Sequence, residues 1–317
     1  MAASRKANSD QAIGEDTAAR KQRFERSADG KPLSLTPQKL RALSLLYDYR
    51  FLIAPQPARL TGGSDQSARR CFLSLHDDGF VEKIAVPRVA LAGDGEANNA
   101  SLNYGSAPDI HTLTKAGTQV LVQAGIASKE ALRRERPKFG PRNWYFLRHE
   151  MLVSDIRVWL ATLAGDGVGL RSWRDADDCV FLIPDTSIKL RPDGAFVLDI
   201  GEREGRNCVL AGFIEADRAT ERGLDKWTEK VRAYAALFAD PANVIAATGF
   251  RHARVLIVTR TEARRDWIWE AIEDIGAGLR LGPEVLERFW MAEKGVLEER
   301  RLDGERWRVP GVEGPQT

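Results

Sequence analysis

The chain is most constrained at Val209-Leu210-Ala211-Gly212-Phe213-Ile214-Glu215-Ala216-Asp217, where an apolar strand runs straight into two acids. A strand alternates faces, so Phe213, Glu215 and Asp217 share one side while Ile214 and Ala216 take the other. Upstream, Arg191-Pro192-Asp193-Gly194 opens a strand-like run to Ile200, and Gly201 to Asn207 reads as a turn. The two runs therefore return on one another as a hairpin. Asp193 on the neighbouring strand then meets Glu215 and Asp217 in an oxygen-rich corner of the kind a hard cation such as Mg²⁺ requires.

The next segment brings cations to that corner. Leu224, Trp227, Val231, Tyr234 and Phe238 recur at helical spacing as a packed face, and Arg222, Lys226 and Lys230 recur every four residues on an adjacent stripe. A lysine beside a metal-bound water stabilises hydroxide, or the charge that develops on a phosphate.

The order Pro192-Asp193-Gly194, Glu215-x-Asp217, Lys230-x-x-x-Tyr234 resembles the PD-(D/E)XK nuclease superfamily, and specifically the replication-relaxation family of plasmids and other mobile elements. The resemblance runs from about Leu35 to about Met291. It implies a mixed α/β chain, an N-terminal winged helix-turn-helix followed by a PD-(D/E)XK nuclease-like domain whose mixed sheet is flanked by helices. It also implies Mg²⁺ held by Asp193, Glu215 and Asp217, an amine from Lys226 or Lys230, and accessory roles for Glu150 on the first helix of that domain and for Tyr234. One departure bears on activity: the superfamily places lysine two residues after the central acid, where this chain has Asp217. Two function classes follow, a Mg²⁺-dependent DNA endonuclease and a winged-helix regulator whose nuclease-like domain is inactive.

The remaining segments fit this plan. Residues 1–33 are polar with a basic cluster and read as a disordered arm. Residues 34–126 read as the winged helix-turn-helix: Thr36 caps a first helix entered through Pro37, a second spans Gln56 to Leu60, and Ser64 or Asp65 caps a third. The third presents Gln66, Ser67, Arg69 and Arg70 outward, the residue types that meet phosphates and base edges in the major groove. A wing is expected from Phe80–Val89 paired with Ile110–Leu113. Residues 127–143 form a basic linker rich in helix breakers. The nuclease-like domain occupies 144–300, with strands expected at 178–183, 195–200, 208–217, 255–259 and 288–292, and helices at 144–163, 222–239 and 264–275. The tail, 301–317, carries Trp307 and Val309 as one more edge segment.

Composition narrows the classes further. The 317 residues carry 47 basic and 45 acidic side chains, so a DNA-binding surface must come from local clustering. Cys71, Cys179 and Cys208 lack zinc-ligand or disulfide spacing, which points to a reducing cytoplasm. The four histidines are scattered and carry no motif. No apolar run approaches the roughly 20 residues that span a bilayer, and no phosphate loop, nucleophile elbow or zinc helix signals a metabolic enzyme. The expected partners are double-stranded DNA and plasmid replication or mobilisation proteins, with no membrane and with a homodimer left open.

Overall fold

The computed structural model describes residues 35–84, 86, 108–133, 144–184, 186–218, 223–302 and 307–310. The arm, most of the wing loop, most of the linker, Arg222 and the end of the tail lie outside these residues.

The N-terminal unit is three helices, a strand pair and a fourth helix. Helix α1 (Pro37–Tyr49) starts with Thr36 accepting from the Lys39 amide and Pro37 in the first turn, as expected. Helix α2 (Pro55–Thr61) follows, and α3 (Asp65–Asp77) is capped by the Ser64 hydroxyl, which accepts from the Ser67 amide. Strand β1 (Val81–Ile84) pairs antiparallel with β2 (Ile110–Leu113). Helix α4 (Lys115–Gln123) then closes on them through Gly117, where a Cβ would sit 2.2 Å from the Phe80 carbonyl oxygen. Only glycine permits that approach. Leu43, Leu46, Phe72, Leu75, Leu113 and Leu121 form the core.

The second unit is built on a five-stranded mixed sheet of order β3-β6-β7-β8-β9. Its strands are β3 (Val168–Asp175), β6 (Gly194–Arg203), β7 (Arg206–Asp217), β8 (Arg254–Thr259) and β9 (Phe289–Glu293), with a separate two-stranded hairpin of β4 (Phe181–Leu182) and β5 (Lys189–Leu190). The β3, β6 and β7 neighbours are antiparallel and the β7, β8 and β9 neighbours parallel. Parallel neighbours need crossovers, here α6 (Leu224–Phe238) with α7 (Pro241–Thr248), and α8 (Glu262–Leu279) with α9 (Pro283–Leu286). The alternation in β7 divides the core as expected: Phe213 packs with Trp227, Tyr234 and Phe289 under α6, while Ile214 and Ala216 pack with Trp159 and Leu160 of α5 (Trp144–Ala161) on the other face. Trp307 is buried on that second face, and Arg308 exchanges both backbone hydrogen bonds with Met291, so the tail does add an edge segment.

Four elements of this unit are not expected from the sequence, namely β3, β5, α7 and α9. Strand β3 is broken by a register shift between Leu170 and Ser172 and is half exposed, which hides its period. Helix α7 is short, entered from an Asp240 cap through Pro241. Among the described residues no helix is long and apolar enough to cross a membrane.

Helix α5 belongs to both units. Leu152, Ile156, Trp159 and Leu160 enter the sheet core, Val158 completes the N-terminal core, and Leu147 packs with Phe51, Ile84 and Ile110. Burial on two sides is why its sequence shows no single apolar stripe. Polar contacts follow the same seam. The Gln56 amide donates to Asp155 Oδ1 at 2.6 Å, Ser154 donates to the Tyr49 carbonyl at 3.3 Å, and Arg59 donates to the Leu297 carbonyl at 3.1 Å. The expected division at 127–143 therefore separates two stretches of sequence whose cores meet on one helix.

Candidate functional site

Hairpin register creates the site. Gly194 faces Ile214 across β6 and β7, so Asp193 and Glu215 stand on the next rung. The Asp193 amide donates to the Ile214 carbonyl at 2.9 Å, and the Ala216 amide donates to Asp193 Oδ2 at 2.8 Å. The other carboxylate oxygen, Oδ1, lies 3.0 Å from His149 Nε2 on α5. An ionised carboxylate only accepts, so Nε2 carries the proton. Glu215 is almost fully buried, and both of its oxygens are held by one helix: Lys230 Nζ donates to Oε2 at 2.7 Å and the Tyr234 hydroxyl to Oε1 at 2.7 Å. Residues four apart share a helix face, which is how α6 delivers both donors to one carboxyl. The Tyr234 ring is fixed in turn by Phe213, Phe238 and Phe289.

The charges are strongly coupled. Burial pushes the Asp193 carboxyl up, but the hydrogen bond and charge of His149, with Lys230 and the Ala216 amide, outweigh it and hold the group below the usual aspartate range. Burial pulls His149 down, but its bond to Asp193 and that carboxylate's charge leave it above the usual histidine value. Burial raises Glu215, the Asp193 charge adds to the rise, and Lys230 and Tyr234 only partly offset it. Burial and the Glu215 charge push the Tyr234 hydroxyl well above its ordinary value. The pair thus favours the carboxylate form of Asp193 and the imidazolium form of His149, while burial works against the charge of Glu215 and Lys230 works for it.

The other expected residues are distributed unevenly. Asp217 lies on the Glu215 face of β7, but it receives the Arg264 guanidinium side-on, Nε to Oδ1 at 2.8 Å and Nη2 to Oδ2 at 3.0 Å. Arg264 stands in the first turn of α8 and also covers the Trp267 ring, so this pair fastens α8 to the strand end. Lys226 is exposed and pairs with Glu229 at 3.6 Å, away from the acids. Leu224, expected on the packed face of α6, is 50% exposed at the helix start. Glu150 follows His149 on α5 and pairs with Arg50 at 3.2 Å. Burial raises its carboxyl against Arg50 and His149, and the nearby Asp175 and Asp193 charges add to the rise. On α3, Gln66, Arg69 and Arg70 are exposed, and the Ser67 hydroxyl accepts from the Gln38 amide at 2.9 Å.

Among the described residues no three histidine, cysteine or acidic side chains gather as a metal-holding group. The corner brings together Asp193, Glu215, Lys230 and Tyr234, and it adds His149, which carried no sequence signal beyond its place beside Glu150. Arg264 and Arg50 were likewise unmarked, since each meets its acid only through the tertiary fold.

A protein-family model described as replication-relaxation matches residues 43–249. The match runs from within α1 to just past the end of α7, including the whole acid corner, and stops before Arg264. No curated protein and no solved structure matches the chain.

Proposed function

The chain belongs to the replication-relaxation family, which ties it to replication or mobilisation of plasmids or other mobile elements, and from that premise we propose a DNA-binding protein carrying a Mg²⁺-dependent DNA endonuclease site. In this reading residues 34–126 are a winged helix-turn-helix that reads duplex DNA through Gln66, Ser67, Arg69 and Arg70 of α3. The sheet domain is nuclease-like.

The observation that carries the proposal is the Lys230 to Glu215 bond on the same rung as Asp193. Two carboxylates and an amine in one corner are the parts that metal-assisted phosphodiester cleavage needs, with the lysine supplied by α6 in place of the strand position that Asp217 occupies. Mg²⁺ is commonly bound by one or two carboxylates with water and substrate phosphate filling its other positions, so Asp193 and Glu215 fit it without a third protein ligand. When bound, the cation would lower the pKa of a water and neutralise charge on the phosphate. Lys230 stands where its ammonium can stabilise that hydroxide or the developing charge. Tyr234 fixes the Glu215 carboxyl against rotation, and His149 does the same for Asp193.

A second reading has its own observation. Every oxygen of Asp193 and Glu215 already accepts a hydrogen bond from the protein, from His149, the Ala216 amide, Lys230 and Tyr234. A corner whose carboxylate oxygens are all satisfied from within suits an inactive nuclease-like domain in a winged-helix regulator. Incubating supercoiled plasmid with the full chain and Mg²⁺ or Mn²⁺ separates the two. The endonuclease reading expects nicking that Lys230→Ala abolishes and Lys226→Ala leaves intact. It also expects a metal-induced rise in melting temperature that is lost in Asp193→Ala with Glu215→Ala. No nicking and no metal shift in the wild type would leave the regulator. In either case Arg69→Ala with Arg70→Ala should weaken duplex binding and flatten its salt dependence.

A further inference from the structure

Two arginines stand together where the parallel strands begin. Arg254 opens β8 opposite Gly212 of β7, and Val255 pairs with Phe289 of β9. The Val255 amide donates to the Arg288 carbonyl at 2.8 Å, so Arg254 and Arg288 are neighbours on adjacent strand starts. Glu215 lies three residues beyond Gly212 on β7, about 10 Å along the strand. This end of the sheet is separate from the acid corner, and both arginines follow the last residue of the family match.

Aromatic rings, not carboxylates, hold the two guanidiniums. Arg254 lies over Trp290 at 5.6 Å and Arg288 over Phe238 at 4.7 Å from the ring centres. Each platform is fixed in turn: Trp290 donates to the Glu287 carbonyl at 3.1 Å, and Phe238 stacks with Tyr234 and meets Phe289 edge-on. Arg288 donates from Nε to the Glu284 carbonyl at 3.1 Å, and its buried Nη1 meets no acceptor among the described residues. Glu284 and Glu287 are the acids whose charge reaches the pair, yet both are exposed and neither forms an ion pair with it among the described residues. Burial and the charge of Arg288 pull Arg254 below the usual guanidinium range against Glu287, and burial does the same to Arg288 against Glu284. Two half-buried like charges cost free energy that an anion between them would relieve. Arg251, exposed three residues before Arg254, adds to the positive potential there.

We propose that Arg254 and Arg288 form a binding site for a phosphate group at the strand-start end of the sheet, supplied by a nucleic-acid backbone or by a free phosphate or nucleotide. A ring beneath a guanidinium leaves its N–H edge open, and that edge matches phosphate oxygens as a fork. One fork saturates a planar carboxylate, whereas a phosphate offers oxygens to two guanidiniums. The inference goes beyond the proposed function and depends on neither the metal site nor α3.

The full chain would be titrated with inorganic phosphate against chloride at constant ionic strength, with melting temperature as the readout. The wild type should show a saturable rise. Arg254→Gln and Arg288→Gln should each bind phosphate about tenfold more weakly or worse, as loss of a charged hydrogen-bond donor requires. Without phosphate, Arg254→Gln should melt at or above the wild type, because it breaks no hydrogen bond among the described residues and removes one of two like charges. Arg254→Lys, which restores the charge without the fork, should recover part of the affinity. A short DNA duplex then identifies the source. Backbone phosphate predicts weaker duplex binding by both glutamine variants with Arg69 and Arg70 intact, and a free ligand predicts unchanged duplex binding with the phosphate response lost. A wild type without a saturable response overturns the inference, and so does a wild-type phosphate midpoint in Arg254→Gln. An Arg254→Gln chain that melts well below the wild type overturns it too, by making Arg254 structural. An equal response to acetate overturns the choice of phosphate as the ligand.

Discussion

The N-terminal unit and the sheet domain both pack on α5, but they depend on it differently. The sheet domain encloses two apolar clusters, one on each face of its sheet, and α5 covers only one of them. The N-terminal unit has shorter elements and smaller clusters, and both of its clusters take a side chain from α5, Val158 in one and Leu147 in the other. Position along the chain thus does not define a self-sufficient unit. A segment that looks like a separate DNA-binding domain closes its core with a helix that follows a basic linker.

Breaking the chain at that linker should have the largest effect. A fragment of residues 35–125 lacks Leu147 and Val158 and exposes the apolar surface they cover, so it should lack a sharp thermal transition, whereas residues 35–310 should melt as one cooperative unit. Circular dichroism melts of both would decide it. A fragment with a sharp transition and full duplex affinity would restore the expectation that residues 34–126 stand alone.

Within the sheet domain the contrast lies between the two faces of α6. Trp227 is 1% exposed in the cluster under that helix, so Trp227→Ala should cost on the order of 3–5 kcal/mol in a denaturant titration. Lys226→Ala should change stability little, because an exposed ion pair contributes almost nothing. The reverse ranking would mean that the stripes of α6 have been assigned to the wrong sides.

Asp217 sharpens the comparison between fastening and chemistry. It shares a strand face with Glu215, yet it holds Arg264 where Glu215 holds Lys230. Asp217→Ala removes the bidentate acceptor of a buried guanidinium and should cost about 3–5 kcal/mol. It should leave the midpoint of a Mn²⁺ titration unchanged. A lost midpoint with unchanged stability would make Asp217 the third ligand that its place after Glu215 first indicated.

These contrasts also mark what the sequence could reveal. Local chemistry was legible: Thr36 with Pro37, the Ser64 cap, the face alternation from Phe213 to Asp217, and the spacing that sends Lys230 and Tyr234 to one side. Each depends on neighbours within a turn or a strand. Contacts between distant segments were not legible. His149 and Asp193 are separated by 44 positions, and Asp217 and Arg264 by 47, so no period connects them. Leu224 was misplaced because a helical stripe says nothing about where the helix first meets the sheet. Strand β3 was missed because Gly169, Arg171 and Ser172 interrupt its alternation at the bulge.

The smallest effect concerns the seam between the two units. Asp155 on α5 accepts from Gln56 of α2 at 2.6 Å, and burial pushes its carboxyl up to about 6, with Gln56, Arg59 and Lys294 opposing the rise. A carboxyl whose pKa is higher folded than unfolded favours the protonated, folded state. As pH climbs from the unfolded value of 3.8 toward about 6, the unfolded chain releases this proton first, and stability falls. Above about 6 the loss is complete and constant. Asp155→Asn keeps an acceptor for Gln56 and removes the charge, so it should melt about 2 °C or more above the wild type at neutral pH, with the gap closing as pH drops below the unfolded value. If the gap instead widens in acid, Asp155 is stabilised as a carboxylate, and Arg59 and Lys294 rather than burial set its charge at the seam.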